Sequence, residues 1–336
     1  MRMRAVIATC GFAACVAAFA QGPAAVPPVP GTGIASALFG LREMDMHIHA
    51  GMEREIPLNE WIDASVKDGR RVIVLLDHLE LYRKTPEEYQ AWAKEKKFPA
   101  WYTGGSAGHK ALMADFDAAI AGRKDVILFK GWEISEDELD TGLEEAPMRM
   151  AEVIGWHISP HNVGDPPDGT KLIKRIQQVK EAQKRFPVPM ILYHPFTMRI
   201  ENIQRKAAAK GRDLKTLTVD EYRFFQPGQQ EQAASLLKGG SVYIEMASAS
   251  AAYFNDPIVR EAMIADIKPL AEMGVQFIVS TDKHHATKGE KSFQPEAYCA
   301  PCGITPENTN TIVRELLAQR ARRALDRGAP DSAAKP

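Results

Sequence analysis

Seven short apolar runs punctuate the chain, and each closes on or near a polar residue able to do chemistry. They are Leu41–His49 (LREMDMHIH), Arg71–His78 (RVIVLLDH), Asp125–Ile134 (DVILFKGWEI), Ala151–Ser159 (AEVIGWHIS), Val188–Pro195 (VPMILYHP), Ser241–Met246 (SVYIEM) and Val275–His284 (VQFIVSTDKH). Several are unbroken stretches of Val, Ile and Leu, which marks strands buried on both faces. Helical stretches lie between them: Pro86–Lys96, Ala111–Arg123, Lys171–Arg185, Gln229–Leu237, Asp256–Met273 and Asn308–Leu325. In Lys171–Arg185 the apolar residues Leu172, Ile173, Ile176 and Val179 fall on one helical face. Alternation of this kind predicts an α/β fold, a parallel barrel that is closed or nearly closed. A flat doubly wound sheet is the alternative, but it gathers its ligands at one switch point rather than at every strand end.

The two ends of the chain read differently. Arg2 and Arg4 precede a small, apolar stretch from Ala5 to Ala20, and residues 1–20 are expected to be a signal peptide that is cleaved. Processing as a lipoprotein at Cys15 is a second option. Residues 21–34 form a Pro/Gly-rich linker, 35–325 a single domain, and 326–336 a flexible tail. The mature protein is therefore expected to be exported, periplasmic or secreted, with no stable membrane span once the signal is removed. Lys and Arg number 42 against 43 Asp and Glu, so no broad basic surface exists and nucleic acid is not an expected partner. Four cysteines in 336 residues exclude a disulfide-built scaffold. Cys299-Ala300-Pro301-Cys302 has no second pair and so is not a zinc ribbon. In an exported protein it is expected to be a local disulfide.

Histidine placement carries the chemistry. Of nine histidines, six (His47, His49, His78, His157, His194 and His284) sit at or just past the C-terminal end of a predicted strand, as do Glu133, Glu245 and Asp282. In α/β barrels that rim is where active sites form. A ring of imidazoles and carboxylates there is a metal site, and one ion cannot employ them all. In Asp45-x-His47-x-His49 the two imidazoles are two apart on a strand and point the same way, so both can hold one ion. Asp282-x-His284 is expected to repeat that geometry on the last strand. His157, His194 or Asp77-His78 alone would more often be structural; their weight lies in the series.

That ordered series resembles the PHP family, metal-dependent phosphoesterases named for polymerase and histidinol-phosphatase domains. The resemblance runs from Asp45 to His284. Asp45-x-His47-x-His49 matches the opening motif, and Leu76-Asp77-His78 matches the second, with Leu76 where the family has a hydroxyl residue. Gly131-Trp132-Glu133, His157, His194-Pro195, Ile244-Glu245 and Ser280-Thr281-Asp282-Lys283-His284 follow in order. The resemblance implies a distorted seven-stranded (β/α)7 TIM-like barrel, in agreement with the strand count. It also implies two or three divalent metal ions (zinc, manganese or iron). His47, His49, Glu133 and Asp282 would hold the first. Glu133 would bridge to a second, held also by His157 and His194. His78 and His284 would hold a third, with Glu53 or Glu55 standing in for the family's usual further ligand.

The implied reaction is hydrolysis of a small phosphorylated molecule by a water that the ions activate. No Gly-x-Ser-x-Gly elbow offers a nucleophile instead. Because the ligand imidazoles must be neutral, activity is expected to fall below about pH 6. Besides Glu133 and Asp282, the candidates for the catalytic centre are Asp45 and Asp77, as acceptors that orient ligand imidazoles or as strand caps. Glu245 joins them as an orienting residue or a substrate contact. Arg199, just past His194-Pro195, is the candidate phosphate contact. Arg70 and Arg71 fall at the wrong end of the barrel and read as surface charges. Leu79–Gly108, Ser159–Gly169 and Arg199–Gly228 read as insertions whose aromatics either wall the pocket or pin the loops. The alternatives are an amidohydrolase-type hydrolase of C–N or C–O bonds, and a non-catalytic metal-binding protein on the same scaffold.

Overall fold

The computed structural model describes residues 38–52, 56–96, 108–158, 169–286 and 293–328. The expected signal peptide and linker, Glu53 and Glu55, and parts of the expected insertions Leu79–Gly108 and Ser159–Gly169 lie outside the described residues. No described helix is long and apolar enough to cross a membrane.

Seven parallel strands form one sheet in the order β1 to β7, each hydrogen-bonded to its sequence neighbour. They are β1 Met44–His49, β2 Val72–Leu76, β3 Ile127–Ser135, β4 Val153–His157, β5 Met190–Tyr193, β6 Val242–Ala247 and β7 Phe277–Ser280. Every residue of β1, β2, β5, β6 and β7 is buried, as expected of strands covered on both faces. The longer helices are α1 Leu58–Lys67, α2 Pro86–Lys96, α3 His109–Gly122, α4 Thr170–Arg185, α5 Pro195–Ala209, α6 Gln229–Leu237, α7 Pro257–Glu272 and α8 Thr311–Gly328. α4 buries Leu172, Ile173, Ile176, Val179 and Ala182, the stripe its spacing predicts. α7 starts where Asp256 accepts from the backbone N–H groups of Ile258 and Val259 and Pro257 occupies the first helical position.

Closure of the barrel is brief. The segment just past β7 meets β1 through two backbone bonds, His49 N to Lys283 O at 2.9 Å and Lys283 N to His47 O at 3.3 Å. A buried side chain reinforces them. The Asp45 carboxylate accepts from Thr281 N at 2.9 Å and from Thr281 Oγ1 at 2.6 Å. Inside the barrel the Tyr193 ring packs where β4 carries Gly155; a Cβ there would lie 1.8 Å from Tyr193 Cε2. Tyr193 donates to the Met46 carbonyl at 2.9 Å, tying β5 to β1 across the interior.

Several sequence expectations need correction. β7 ends at Ser280, and Asp282 turns into the left-handed region at φ 56°, so Asp282-x-His284 lies on a turn and not on a strand. Much of the supposed insertion from Arg199 is the body of α5, which begins at Pro195 directly after β5. Its Tyr222, Phe224 and Phe225 are buried, with Phe224 and Phe225 rings 4.9 Å apart, and they pin this segment to the barrel. α8 continues to Gly328, beyond the expected start of the tail. Arg70 is buried, donates to the carbonyls of Arg42 and Asp68, and lies 4.3 Å from the centre of the Phe293 ring. Cys299 and Cys302 are free, buried thiols on consecutive helical turns, and burial pushes both thiols up, that of Cys302 to about 12.

The Gly155–Tyr193 contact generates a stability prediction. G155A should cost about 3 kcal/mol, the upper end for overpacking a core, read as a lowered denaturation midpoint. G122A, whose Cβ would meet nothing within 4 Å, is the control and should be neutral. Equal midpoints for both variants would contradict the placement of Tyr193.

Candidate metal centre

The strand ends deliver their side chains to one place. β1 supplies His47 and His49, β3 Glu133, β4 His157, and the turns after β2, β5 and β7 supply His78, His194, Asp282 and His284. Two of these ligand candidates require unusual backbone. His194 (φ 60°) and Asp282 (φ 56°) are the non-glycine residues with positive φ among those described. Such conformations cost of order 1–3 kcal/mol and concentrate at functional sites. At His194 the turn lets β5 pass straight into α5, with the histidine as the residue before Pro195 at the first helical position.

Four donor atoms converge on one point. His47 Nε2 lies 2.9 Å from His49 Nε2, and Glu133 Oε2 lies 3.3 and 3.2 Å from them. Asp282 Oδ1 lies 3.4 and 3.2 Å from the same two nitrogens. Ligands about 2.0–2.2 Å from a tetrahedral ion stand about 3.3–3.6 Å apart. Five of the six edges of that tetrahedron are thus given: four, at 3.2–3.4 Å, lie at or just below the expected length, and the His47–His49 edge at 2.9 Å is the short one. The opposite nitrogens are turned outward to carboxylates: His47 Nδ1 is 2.7 Å from Glu245 Oε1, and His49 Nδ1 is 3.4 Å from Asp77 Oδ1. With protons on Nδ1, both Nε2 lone pairs face the centre. Asp282 Oδ1 is buried there without a hydrogen-bond partner. A buried carboxylate oxygen without a donor is costly, and a cation is what this donor set fits.

A second set shares Glu133. Its other oxygen, Oε1, is 3.0 Å from His157 Nδ1 and 3.5 Å from His194 Nε2. These three residues could hold an ion, and Glu133 then bridges both sets. His49, His78 and His284 form a third grouping, with the His49 ring stacked between the other two at 4.5 and 4.2 Å. His49 has one nitrogen at the first site and the other at Asp77, so an ion on His78 and His284 needs a further ligand. Glu80 stands near, with Oε1 3.4 Å from His78 Nδ1 and a buried Oε2 that has no hydrogen-bond partner. His47, His194 and Glu245 also cluster. There the 2.7 and 3.1 Å contacts run from Nδ1 atoms to a carboxylate, and we read them as hydrogen bonds that orient the rings.

The remaining candidates divide. Asp77 orients His49 and accepts from Tyr82 Oη at 2.7 Å and from His78 N at 2.8 Å. Glu245 orients both His47 and His194. Asp45 faces Thr281, Arg70 and the backbone N–H of His47, which makes it a strand clamp and not an acceptor for an imidazole. Arg199 is buried, with Nη2 3.1 Å from the Arg223 carbonyl and the guanidinium 5.4 Å from the Phe224 ring centre, so these contacts belong to the packing of α5. Three residues support the cluster in ways the sequence pattern does not assign. The Tyr193 ring lies tilted against that of His47 with centres 3.8 Å apart, Ser280 donates to Glu245 Oε1 at 2.6 Å, and Tyr82 holds Asp77. Ser280 stands in the closing motif and Tyr193 directly precedes His194, whereas nothing in the sequence marks Tyr82.

Charge follows this layout. Burial alone would lower the proton affinity of His47, but the carboxylates of Asp282, Glu133 and Glu245 outweigh it and hold its pKa up at about 9. His49 and His194 are likewise raised against burial by neighbouring carboxylates. Burial would raise Glu245, yet His194 and His47 bring it down to about 2. Burial and the neighbouring His49 depress His284 to about 4. Without an ion, the centre of the cluster takes up protons.

No family model matches the chain, and no curated protein matches it. Among solved structures it aligns with a histidinol phosphate phosphatase from Lactococcus lactis subsp. lactis Il1403, complexed with zinc, L-histidinol and phosphate. The match has 12% identity and a TM-score of 0.42 and covers 74% of this chain and 88% of that one. It also aligns with a protein from Listeria monocytogenes assigned as a histidinol phosphatase, at 11% identity and a TM-score of 0.42, over 74% of this chain and 98% of that one.

A pH prediction follows from His47. Below about 9 its metal-free form is an imidazolium, so a cation taking Nε2 must displace a proton. Competition by protons therefore begins well above the pH 6 or so expected for a free imidazole. Zinc titrated into metal-free protein at about pH 7.5 should release roughly one proton or more with the first ion, read from the buffer dependence of the calorimetric heat. The release should shrink at about pH 10. Heats independent of buffer at the lower pH would contradict the charge assignment.

Proposed function

We propose that the chain is a metal-dependent phosphoesterase of the PHP type, hydrolysing a small phosphorylated substrate at a two- or three-ion site. One observation carries this reading: the Glu133 carboxylate faces two donor sets at once, Oε2 toward His47 and His49 and Oε1 toward His157 and His194. Zinc, manganese or iron bound there would supply Lewis acidity and an activated water for attack at phosphorus.

The protein's own part is positioning. His47, His49, Glu133 and Asp282 hold the first ion, and Glu133, His157 and His194 the second. Asp77 and Glu245 keep the ligand imidazoles in the required tautomers. His47 and His49 are fully buried, whereas the side chains of His157, Asp282 and His284 are 29, 29 and 32% exposed. Substrate therefore reaches the cluster from that side.

The test is a metal-reconstituted preparation assayed on phosphomonoesters beside amides and lactones. Phosphomonoester hydrolysis should vanish on chelation and return with metal. E133Q, which touches both sets, should lower kcat/KM by at least about 1000-fold, beyond the 10–100-fold typical of changes behind the ligands. Turnover of amides or lactones alone would overturn the proposal, and silence on every panel from fully loaded protein would indicate a non-catalytic metal binder.

A further inference from the structure

Glu245 spends its two oxygens on two different metal sites. Oε1 is 2.7 Å from His47 Nδ1 and receives the Ser280 hydroxyl at 2.6 Å. Oε2 receives the backbone N–H of His194 at 2.8 Å and lies 3.1 Å from His194 Nδ1. The carboxylate is fully buried behind the ligands, so no substrate touches it.

We propose that Glu245 is a positioning residue that sets the tautomers of His47 and His194 together, and that only a carboxylate can do so. This rests on the reading that the cluster holds metal ions. The argument is one of donors and acceptors. The His194 backbone N–H is an obligate donor, so the oxygen facing it must accept. On the other side the Ser280 hydroxyl can turn either way, but His47 must carry its proton on Nδ1 if Nε2 is to offer a lone pair. An amide has one oxygen for these two duties. In E245Q that oxygen stays with His194, and the amide NH2 turns toward Ser280 and His47. His47 Nδ1 then accepts, its proton moves to Nε2, and that N–H points into the first site and closes it to a cation. The second site keeps its histidine as before. A purely structural role predicts otherwise, because amide and carboxylate have nearly the same shape and would leave both sites alike.

The experiment compares wild type, E245Q, E245Q/H157A and E245Q/H49A, stripped of metal and titrated with Zn2+ by calorimetry. Nitrogen-15 spectra of the histidine rings are recorded on the zinc-saturated proteins. Wild type should bind at least two tight equivalents. E245Q should lose one of them, a weakening of at least about 100-fold. E245Q/H157A should lose the next as well, while E245Q/H49A should match E245Q. The His47 ring should switch to the Nε2–H tautomer in E245Q. Retention of both equivalents at wild-type affinity, or their joint loss from a folded E245Q, overturns the proposal. Wild-type protein that binds no zinc overturns the metal reading itself, and this inference with it. Should circular dichroism show E245Q unfolded, S280A carries the test: the first equivalent weakens about tenfold and the second does not move. An unchanged first equivalent in S280A overturns the proposal.

Discussion

Four lone pairs aimed at one buried point dominate this structure. Two imidazole nitrogens stand 2.9 Å apart and 3.2–3.4 Å from each of two carboxylate oxygens in the barrel interior, and by themselves these lone pairs repel. Only a positive centre, proton or metal, resolves the conflict. The rest of the barrel mouth can be understood as a frame that keeps the donors from relaxing away. Asp77 and Glu245 hold the rings from behind, Tyr82 and Ser280 hold those carboxylates, and Tyr193 braces His47 from below. Strained backbone at His194 and Asp282 belongs to the same frame, because both turns exist to carry a ligand inward from a strand that has already ended.

The frame's own support is the core. Tyr193 fits only because β4 offers Gly155, and Gly51 lets Tyr82 approach Asp77, since a Cβ there would lie 2.3 Å from the hydroxyl and 2.5 Å from the carboxylate. These are close approaches of backbone to side chain, not flexible points. Closure between β1 and β7 depends on two backbone bonds and one clamp, Asp45 on Thr281, which lies one residue before Asp282. Barrel closure and ligand placement are therefore the same structural event at that edge. That coupling explains why Asp45, two residues before a ligand on the same strand, serves the backbone and not an imidazole.

Much of this was legible in the residues. The seven apolar runs mark all seven strands, and a strand is short enough that its end, and the residue just past it, can be placed to within one or two positions. For that reason the histidines and carboxylates that sit at strand ends assemble as their positions suggest. Other features were hidden by what a linear pattern omits. Left-handed φ at Asp282 breaks the strand period, so the right residues were found through the wrong geometry. α5 was obscured because His194-Pro195 reads as a strand end, although Pro195 also opens a helix. Arg199 is near His194-Pro195 in sequence, yet one helical turn past Pro195 its guanidinium is already packed against Phe224. Arg70 looks like surface charge until the carbonyls of Arg42 and Asp68 and the Phe293 ring surround it. Contacts between distant segments decide these cases, and periodicity carries no record of them.

Burial around the cluster is graded, and the gradient has a functional consequence. His47, His49 and Glu133 are sealed, His194 and His78 are 6 and 19% exposed, and His157, Asp282 and His284 are open by about a third. An ion on the sealed side would meet ligands on almost every face and exchange slowly, whereas one on the open side keeps room for solvent and substrate. Asp282 belongs to both environments, since Oδ1 closes the inner tetrahedron while Oδ2, 3.8 Å from His194 Nε2, faces the outer set. Glu133 and Asp282 thus each divide their oxygens between two neighbouring positions. Two carboxylates shared in this way place negative charge between the two donor sets, where it would offset the repulsion of any cations bound there. The inner donor set is thus the enclosed one, and the outer set is open to solvent on the side of His157 and His284.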